Sequence, residues 1–148
     1  MSNALYPIKD RMLQIATDNS LVSNDINVTD PAVTATITVG AEIANVRAIT
    51  VQFKDANGAA TVERVGAKIL VMADANGDAF VTTGGSTGIA VGSNGALLTV
   101  VAKKYFEAIS EANGTLDLTW TDTGTEAAFL HVILPNGRRV VSSALTNA

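Results

Sequence analysis

From Pro31 onward, apolar and polar residues alternate with a period of two. Val33, Ala35, Ile37 and Val39 alternate with Thr34, Thr36 and Thr38. Successive side chains of a strand point to opposite faces, so this run predicts a half-buried strand with β-branched residues on both sides. Gly40-Ala41-Glu42 is expected to break it. A second strand, Val46 to Lys54, sets Ile49, Val51 and Phe53 against Thr50, Gln52 and Lys54. In a third, Arg64 to Ala73, Val65, Ala67, Ile69 and Val71 oppose Gly66, Lys68, Leu70 and Met72, so its second half is apolar on both faces. One face then meets the core and the other meets something else. Strands resume at Ala96 to Val101 and Lys104 to Ser110. The sharpest alternation is Thr115 to Thr121, with Leu116, Leu118 and Trp120 inward and Thr115, Asp117, Thr119 and Thr121 outward. Trp120, the single tryptophan, is the expected central core plug. Ala127 to Leu134 is apolar on both parities apart from His131, as in a central strand, and Arg138 to Ser143 pairs back before the polar end Thr146-Asn147-Ala148. About nine short strands at this spacing predict an all-β fold, an antiparallel two-sheet sandwich.

Asn-Gly dipeptides punctuate the pattern at Asn57-Gly58, Asn76-Gly77, Asn94-Gly95, Asn113-Gly114 and Asn136-Gly137. Tight two-residue hairpin loops need φ > 0 at both central positions, which Asn tolerates and Gly adopts freely. Each pair is therefore expected to close a hairpin. Thr82-Thr83-Gly84-Gly85-Ser86-Thr87-Gly88 carries three glycines and no large side chain, and it reads as an exposed loop. It has no Lys and no following helical pattern, so it does not fit a phosphate loop.

Residues 1–30 differ from the rest and form a separate arm; residues 31–148 form the sandwich domain. Ile8, Met12 and Ile15 fall at helical spacing with Leu13 beside them, Pro7 suits a first helical turn, and Lys9, Asp10, Arg11 and Gln14 fill the other face. This predicts a short amphipathic helix over about 8–17. Polar turn formers, Asp18-Asn19-Ser20 and Ser23-Asn24-Asp25, then begin an extended linker. Leu5, Tyr6, Ile8, Met12, Leu13 and Ile15 are the candidate interaction residues of an arm that docks on a neighbouring subunit; the alternative is a helix packed on its own sandwich. Ile49, Val51, Phe53, Leu116, Leu118 and Trp120 are the candidate structural core.

With 148 residues the chain can bury a core of ordinary size, and with no cysteine it has neither disulfides nor thiolate metal sites. The start lacks a basic stretch followed by an apolar one, and no run approaches the ~18 apolar residues of a membrane span, so neither a signal peptide nor membrane insertion is expected. Ten basic and fourteen acidic residues give a net charge of −4. The basic residues are scattered, which argues against a nucleic acid partner. Charged residues are only 16% of the chain, against about 25% in an average soluble domain. A surface of Ala, Thr and Ser loses little side-chain entropy and little ion solvation when a second subunit covers it, so the composition suits assembly into a homo-oligomer.

No catalytic constellation stands out. His131 is the only histidine and lies in an apolar strand, where a satisfied buried imidazole is the expected role. Asp74, Asn76 and Asp78 have the spacing of an oxygen-ligand loop, but Ala79 and Gly85 stand where a calcium loop wants Gly and Glu, so a turn is expected and no metal or cofactor. Glu63, Asp78, Glu107 and Glu111 could supply a carboxylate pair, as in any acidic domain. Asn27-Val28-Thr29 and Asn113-Gly114-Thr115 match a glycosylation pattern by chance.

Ile49-Thr50-Val51-Gln52-Phe53-Lys54-Asp55-Ala56-Asn57-Gly58, then Lys68-Ile69-Leu70-Val71, then Glu111-Ala112-Asn113-Gly114-Thr115-Leu116-Asp117-Leu118 resemble the immunoglobulin-like domains of bacterial adhesins and phage virion proteins. In those domains a strand ends in Asp-x-Asn-Gly, and a second such turn precedes the strand that closes the core. The likeness covers roughly residues 46–143. The opening Met1-Ser2-Asn3-Ala4-Leu5-Tyr6-Pro7 resembles the starts of small tailed-phage structural proteins. A single domain with a long N-terminal arm departs from the tandem repeats of adhesins. The resemblance implies an immunoglobulin-like sandwich, with a jelly roll as the alternative topology. It further implies a non-enzymatic virion component made in the host cytoplasm, a capsid decoration (cement) protein. Its partners would be the major capsid protein or other virion subunits, and it would assemble as a dimer or trimer. The alternative is a tail-fibre or receptor-binding module that contacts host-surface glycans through loops such as Gly84 to Gly88.

Overall fold

The computed structural model describes residues 31–148. Those residues form nine strands: β1 (Thr34–Ile43), β2 (Val46–Lys54), β3 (Gly66–Met72), β4 (Gly88–Val91), β5 (Ala96–Val101), β6 (Tyr105–Ile109), β7 (Thr115–Thr121), β8 (Phe129–Ile133) and β9 (Arg139–Val141). They make two antiparallel sheets, β1-β2-β7-β4 and β5-β6-β3-β8-β9, packed as a sandwich. The predicted helix and arm lie outside the described residues.

The alternation in the sequence becomes the division between core and surface. From the four-stranded sheet Ile49, Val51, Phe53, Leu116, Leu118 and Trp120 point inward, and each is at most 1% exposed. Ile69, Val71, Leu130, Val132 and Phe106 meet them from the five-stranded sheet. The register keeps like parity together, with Ile49 opposite Leu118 and Val51 opposite Leu116, so both sheets present continuous apolar inner faces whose removal from water drives folding.

The predicted break at Gly40 is corrected. β1 continues to Ile43 through an irregularity between Val39 and Glu42, and the reversal falls at Ala44-Asn45, with φ of 51° and 67°. Gly40 is tolerated because the extra residue is absorbed as a bulge, whereas two positive φ values give the tight turn that suits strand twist. β4 was hidden by its brevity: Gly88-Ile89-Ala90-Val91 has no sustained alternation, yet it pairs with β7, placing Ile89 opposite Trp120.

The Asn-Gly pairs also behave differently from expectation. Only Gly58, Gly77, Gly95, Gly114 and Gly137 have positive φ in these pairs; their asparagines do not. At three of them one frame recurs, with the Gly N–H donating to the carbonyl three residues earlier: Gly58 to Asp55 at 3.1 Å, Gly114 to Glu111 at 2.9 Å and Gly137 to Leu134 at 2.9 Å. This is a three-residue turn closed by a left-handed glycine, in which Asn takes an ordinary backbone conformation and Pro135 fits the first central position. Asn136-Gly137 joins neighbouring strands, β8 and β9, whereas Asn94-Gly95 and Asn113-Gly114 lie where the chain passes from one sheet to the other.

The polar end of the chain closes one end of the sandwich. Leu145 is fully buried and Asn147 is 3% exposed. The Asn147 amide donates to the carbonyls of Asn45 and Asp122, both at 2.7 Å, and its oxygen accepts from Arg47 Nε at 3.1 Å. Arg47 also donates to the Thr146 carbonyl at 2.8 Å and the Gly40 carbonyl at 3.2 Å. The buried Asn147 side chain and the buried Asp122 carbonyl are thereby paired inside the fold, and the part-buried Arg47 is held by three acceptors.

Candidate interaction surfaces

The outward positions of the four-stranded sheet are Thr34, Thr36, Thr38 and the exposed Ile43 on β1, Val46, Ala48, Thr50, Gln52 and Lys54 on β2, Thr115, Asp117, Thr119 and Thr121 on β7, and Gly88 and Ala90 on β4. Register sets them in cross-strand rows: Thr38 with Thr50 and Asp117, Thr36 with Gln52 and Thr115, Ala48 with Thr119 and Ala90. Side-chain hydrogen bonds fix two of these rows. Thr50 Oγ1 donates to Asp117 Oδ1 at 3.1 Å, and Thr115 Oγ1 donates to Gln52 Oε1 at 3.0 Å. Asn94 holds the other Asp117 oxygen. The face therefore carries Lys54 and Asp117 as its only formal charges, and its short side chains have little rotamer freedom left to lose.

The outward face of the five-stranded sheet differs in kind. Leu70, Phe129 and Ile133 are half-buried on it, while Leu98 and Ile109 at its β5–β6 edge are exposed, Leu98 to 67%. The Asp74–Phe80 turn folds back along the end of β3, where Phe80 pairs with Met72 in an isolated bridge, and its Gly77 lies against His131 and Arg139 on this face.

That turn also disposes of His131. The imidazole is 2% exposed, and its Nε2 lies 3.0 Å from the Asp74 carbonyl. A carbonyl only accepts, so Nε2 carries the proton. Burial lowers the His131 pKa, with the nearby Arg139 acting the same way and the Asp74 carbonyl opposing both. Asp74 uses its carboxylate on its own turn, accepting from the N–H groups of Gly77 at 2.7 Å and Asp78 at 3.2 Å. The amide of Asp78 chiefly holds the Asp74 pKa below its ordinary value. Of the carboxylates considered for a catalytic pair, Glu63 and Asp78 flank β3 at opposite ends, Glu107 accepts from the Tyr105 hydroxyl, and Glu111 is 3.2 Å from Arg64. Among the described residues no group of three His, Cys, Asp or Glu side chains could hold a metal ion.

The glycine-rich segment is not the freely exposed loop the sequence suggests. Gly84, Gly85 and Gly88 are buried, and the Glu126 carboxylate accepts from the N–H groups of Thr83, Gly84 and Gly85 at 2.8–3.0 Å and from the Thr83 hydroxyl at 2.6 Å. Lys103 Nζ donates to the carbonyls of Gly85 and Ser86, both at 2.9 Å. Gly85 has φ +72°, and a Cβ there would come within 2.9 Å of the Trp120 ring. The glycines thus serve close packing on the core tryptophan; Glu126, 41 residues beyond Gly85, is the clamp that no local pattern reveals.

Partial burial works to raise the Glu126 pKa, but the Thr83 hydroxyl and the surrounding amides outweigh it and lower the value from 4.5 to about 2. A carboxyl depressed on folding contributes stability above pH 4.5 and loses it as pH falls toward 2. Allowing for solvent screening at this partly exposed site, that contribution is about 1–2 kcal/mol. Glu126→Gln is expected to flatten the stability loss between pH 5 and pH 2; urea titrations at several pH values check this, and an unchanged acid slope would remove Glu126 from the account.

The chain matches no protein-family model, and no curated protein matches it. The surfaces themselves therefore carry the functional reading. Among the described residues, no helix is long and apolar enough to cross a membrane.

Proposed function

We propose that the protein is a non-enzymatic capsid decoration protein of a tailed phage, which binds the outside of the head lattice through the outer face of its four-stranded sheet. The observation that carries this reading is the row structure of that face. Two of its rows are ordered by cross-strand side-chain hydrogen bonds, Thr50 to Asp117 and Thr115 to Gln52, and its two formal charges, Lys54 and Asp117, are few to desolvate. A surface of that kind loses little entropy and little ionic solvation on being covered, which suits repeated contacts on a symmetric lattice. The partners would be the major capsid protein and further copies of this chain, as a dimer or trimer. The alternative, a tail-fibre or receptor-binding module, would contact glycans through exposed loops such as Gly84 to Gly88, a segment that Glu126 and Lys103 hold in place.

Mixing the protein with expanded, undecorated heads tests the reading by co-sedimentation. Saturable binding is expected, and it should persist at high salt because few charges are involved. Ala48→Arg places an unpaired charge in the middle of the face, next to Thr119, and should weaken binding at least about tenfold with no change in folding. Absence of binding by the unaltered protein, or equal binding by Ala48→Arg, would overturn the assignment.

A further inference from the structure

β5 is an edge strand of the five-stranded sheet, paired with β6 on one side; among the described residues no strand or bridge pairs with its other side. Register shows which of its backbone groups are left over. The Ser110 N–H donates to the Val65 carbonyl at 3.0 Å and the Val71 N–H to the Lys104 carbonyl at 2.9 Å. The even-numbered residues of β6 therefore turn their backbone groups toward β3, and the odd-numbered ones turn theirs toward β5. Glu107 and Ile109 engage Leu98 and Ala96, which stand opposite them. The N–H and C=O groups of Leu97 and Thr99 are left pointing out from the edge.

The other three edges are guarded against pairing. β1 is bent between Val39 and Glu42, and Glu42 accepts from the N–H of Ala148. β4 has four residues, and β9 has three, one of them Arg139. Short strands, charges and bulges are the usual means by which a sheet edge avoids a partner. β5 has six residues, Ala96 to Val101, with neither charge nor proline, and its irregularity falls after the two outward-facing residues, between Thr99 and Val101. Leu98 is 67% exposed, Val100 50% and Val101 49%, and Ile109, beside Leu98, 39%. Together they leave on the order of 350 Å² of apolar side chain open per copy, the size at which a patch marks an interaction site. Two copies joined here cover up to about 700 Å² of it, to which strand backbone and flanking residues add, a contact near the ~1,200 Å² lower end of stable interfaces.

We infer that two copies of the chain join β5 to β5, antiparallel, about a two-fold axis centred on Leu98. Leu97 of each copy then stands opposite Thr99 of the other, each such pair exchanges two backbone hydrogen bonds, and every outward group of both residues is used. Leu98 meets Leu98 of the second copy in the closer, non-hydrogen-bonded kind of pair. The occupant is a second copy because the edge is complementary to itself: its two outward-facing residues lie symmetrically about Leu98, as a two-fold contact requires, and Ala96 to Val101 carries no charge by which a foreign strand would be selected. The axis is perpendicular to the sheet, so the two five-stranded sheets become one and both four-stranded sheets lie on the same side of it. The pairing is independent of capsid docking; its use in presenting two docking faces to one lattice rests on that reading.

Sedimentation equilibrium of the full-length protein, without phage heads, should give twice the mass of one chain. The chain has no cysteine, so an introduced one reports a single position. Oxidised Leu98→Cys should form a covalent dimer, because non-hydrogen-bonded neighbours have Cα atoms about 4.5 Å apart, within disulfide reach. Val100→Cys would face Ala96 of the second copy and lie more than about 10 Å from its own counterpart, so it should not cross-link. Leu98→Lys sets two ammonium groups against each other and should weaken association at least about tenfold. Thr99→Pro removes an outward N–H that its own sheet does not use and should do the same. Circular dichroism should show both variants folded; should Thr99→Pro fail to fold, Leu98→Lys carries the test. A protein that stays monomeric at every concentration would assign the edge to residues 1–30 or to a foreign strand and overturn the inference. So would a dimer that Leu98→Lys leaves as strong, or cross-linking through Val100→Cys and not through Leu98→Cys. An intact dimer that fails to bind heads would overturn the capsid reading alone.

Discussion

Trp120→Ala is expected to destabilise the sandwich by about 3–5 kcal/mol, the usual cost of removing a large buried aromatic together with the cavity it leaves. The indole is fully buried, faces Ile89 across β4 and Arg47 across β2, and has Gly85 packed against its six-membered ring. Collapse cannot fill the space easily, because the Gly85 segment is held from the other side by Glu126. Among the described residues the indole N–H has no hydrogen-bond partner. Trp120→Phe therefore gives up ring volume but no hydrogen bond, and should cost only about 1–2 kcal/mol. Urea unfolding of the three proteins measures both, with an unchanged slope as the sign that the denatured states are comparable. A loss below about 1 kcal/mol for Trp120→Ala would contradict the core role.

Asn147→Ala should cost about 1–3 kcal/mol, although it removes a small polar side chain one residue from the end of the chain. Its amide satisfies the carbonyls of Asn45 and Asp122, and its oxygen takes Arg47 Nε. Alanine takes the side-chain donor away from the buried Asp122 carbonyl and one of three hydrogen-bond acceptors away from Arg47, while the Asn45 carbonyl keeps the Asp122 N–H; an unpaired buried carbonyl costs about 1–3 kcal/mol before relaxation. Arg47→Met removes the other half of the network and should also destabilise. Because the two share partners, their effects should not add; a coupling of at least about 0.5 kcal/mol is expected from the double-mutant cycle. Strict additivity, or a cost for Asn147→Ala within 0.5 kcal/mol of zero, would mean the end of the chain does not staple the sandwich.

Parity was the most legible feature. The inward sets of β2 and β7, including Phe53 and Trp120, follow from alternation because one buried face fixes register to the residue. Other features escaped for particular reasons. A four-residue strand such as β4 is shorter than the period-two signal needs, and it forms because β7 has an unpaired edge to complete. The Gly40 bulge misled because glycine marks breaks and bulges alike. Asn-Gly was read as a two-residue loop, whereas a left-handed glycine alone satisfies the longer turns found at Asp55–Gly58, Glu111–Gly114 and Leu134–Gly137.

By itself, then, the order of residues determined the class of fold, the inner face of each long strand and the low charge of the surface, since these depend on local alternation and composition. Tertiary structure alone decided that Glu126 would clamp Gly84 and Gly85 and that Asn147 would meet Arg47 from the far end of the chain. Each of those depends on groups brought together by the packing of two sheets. Hydrogen bonds and close contacts between residues some 40 to 100 positions apart leave no periodic trace in the chain that forms them.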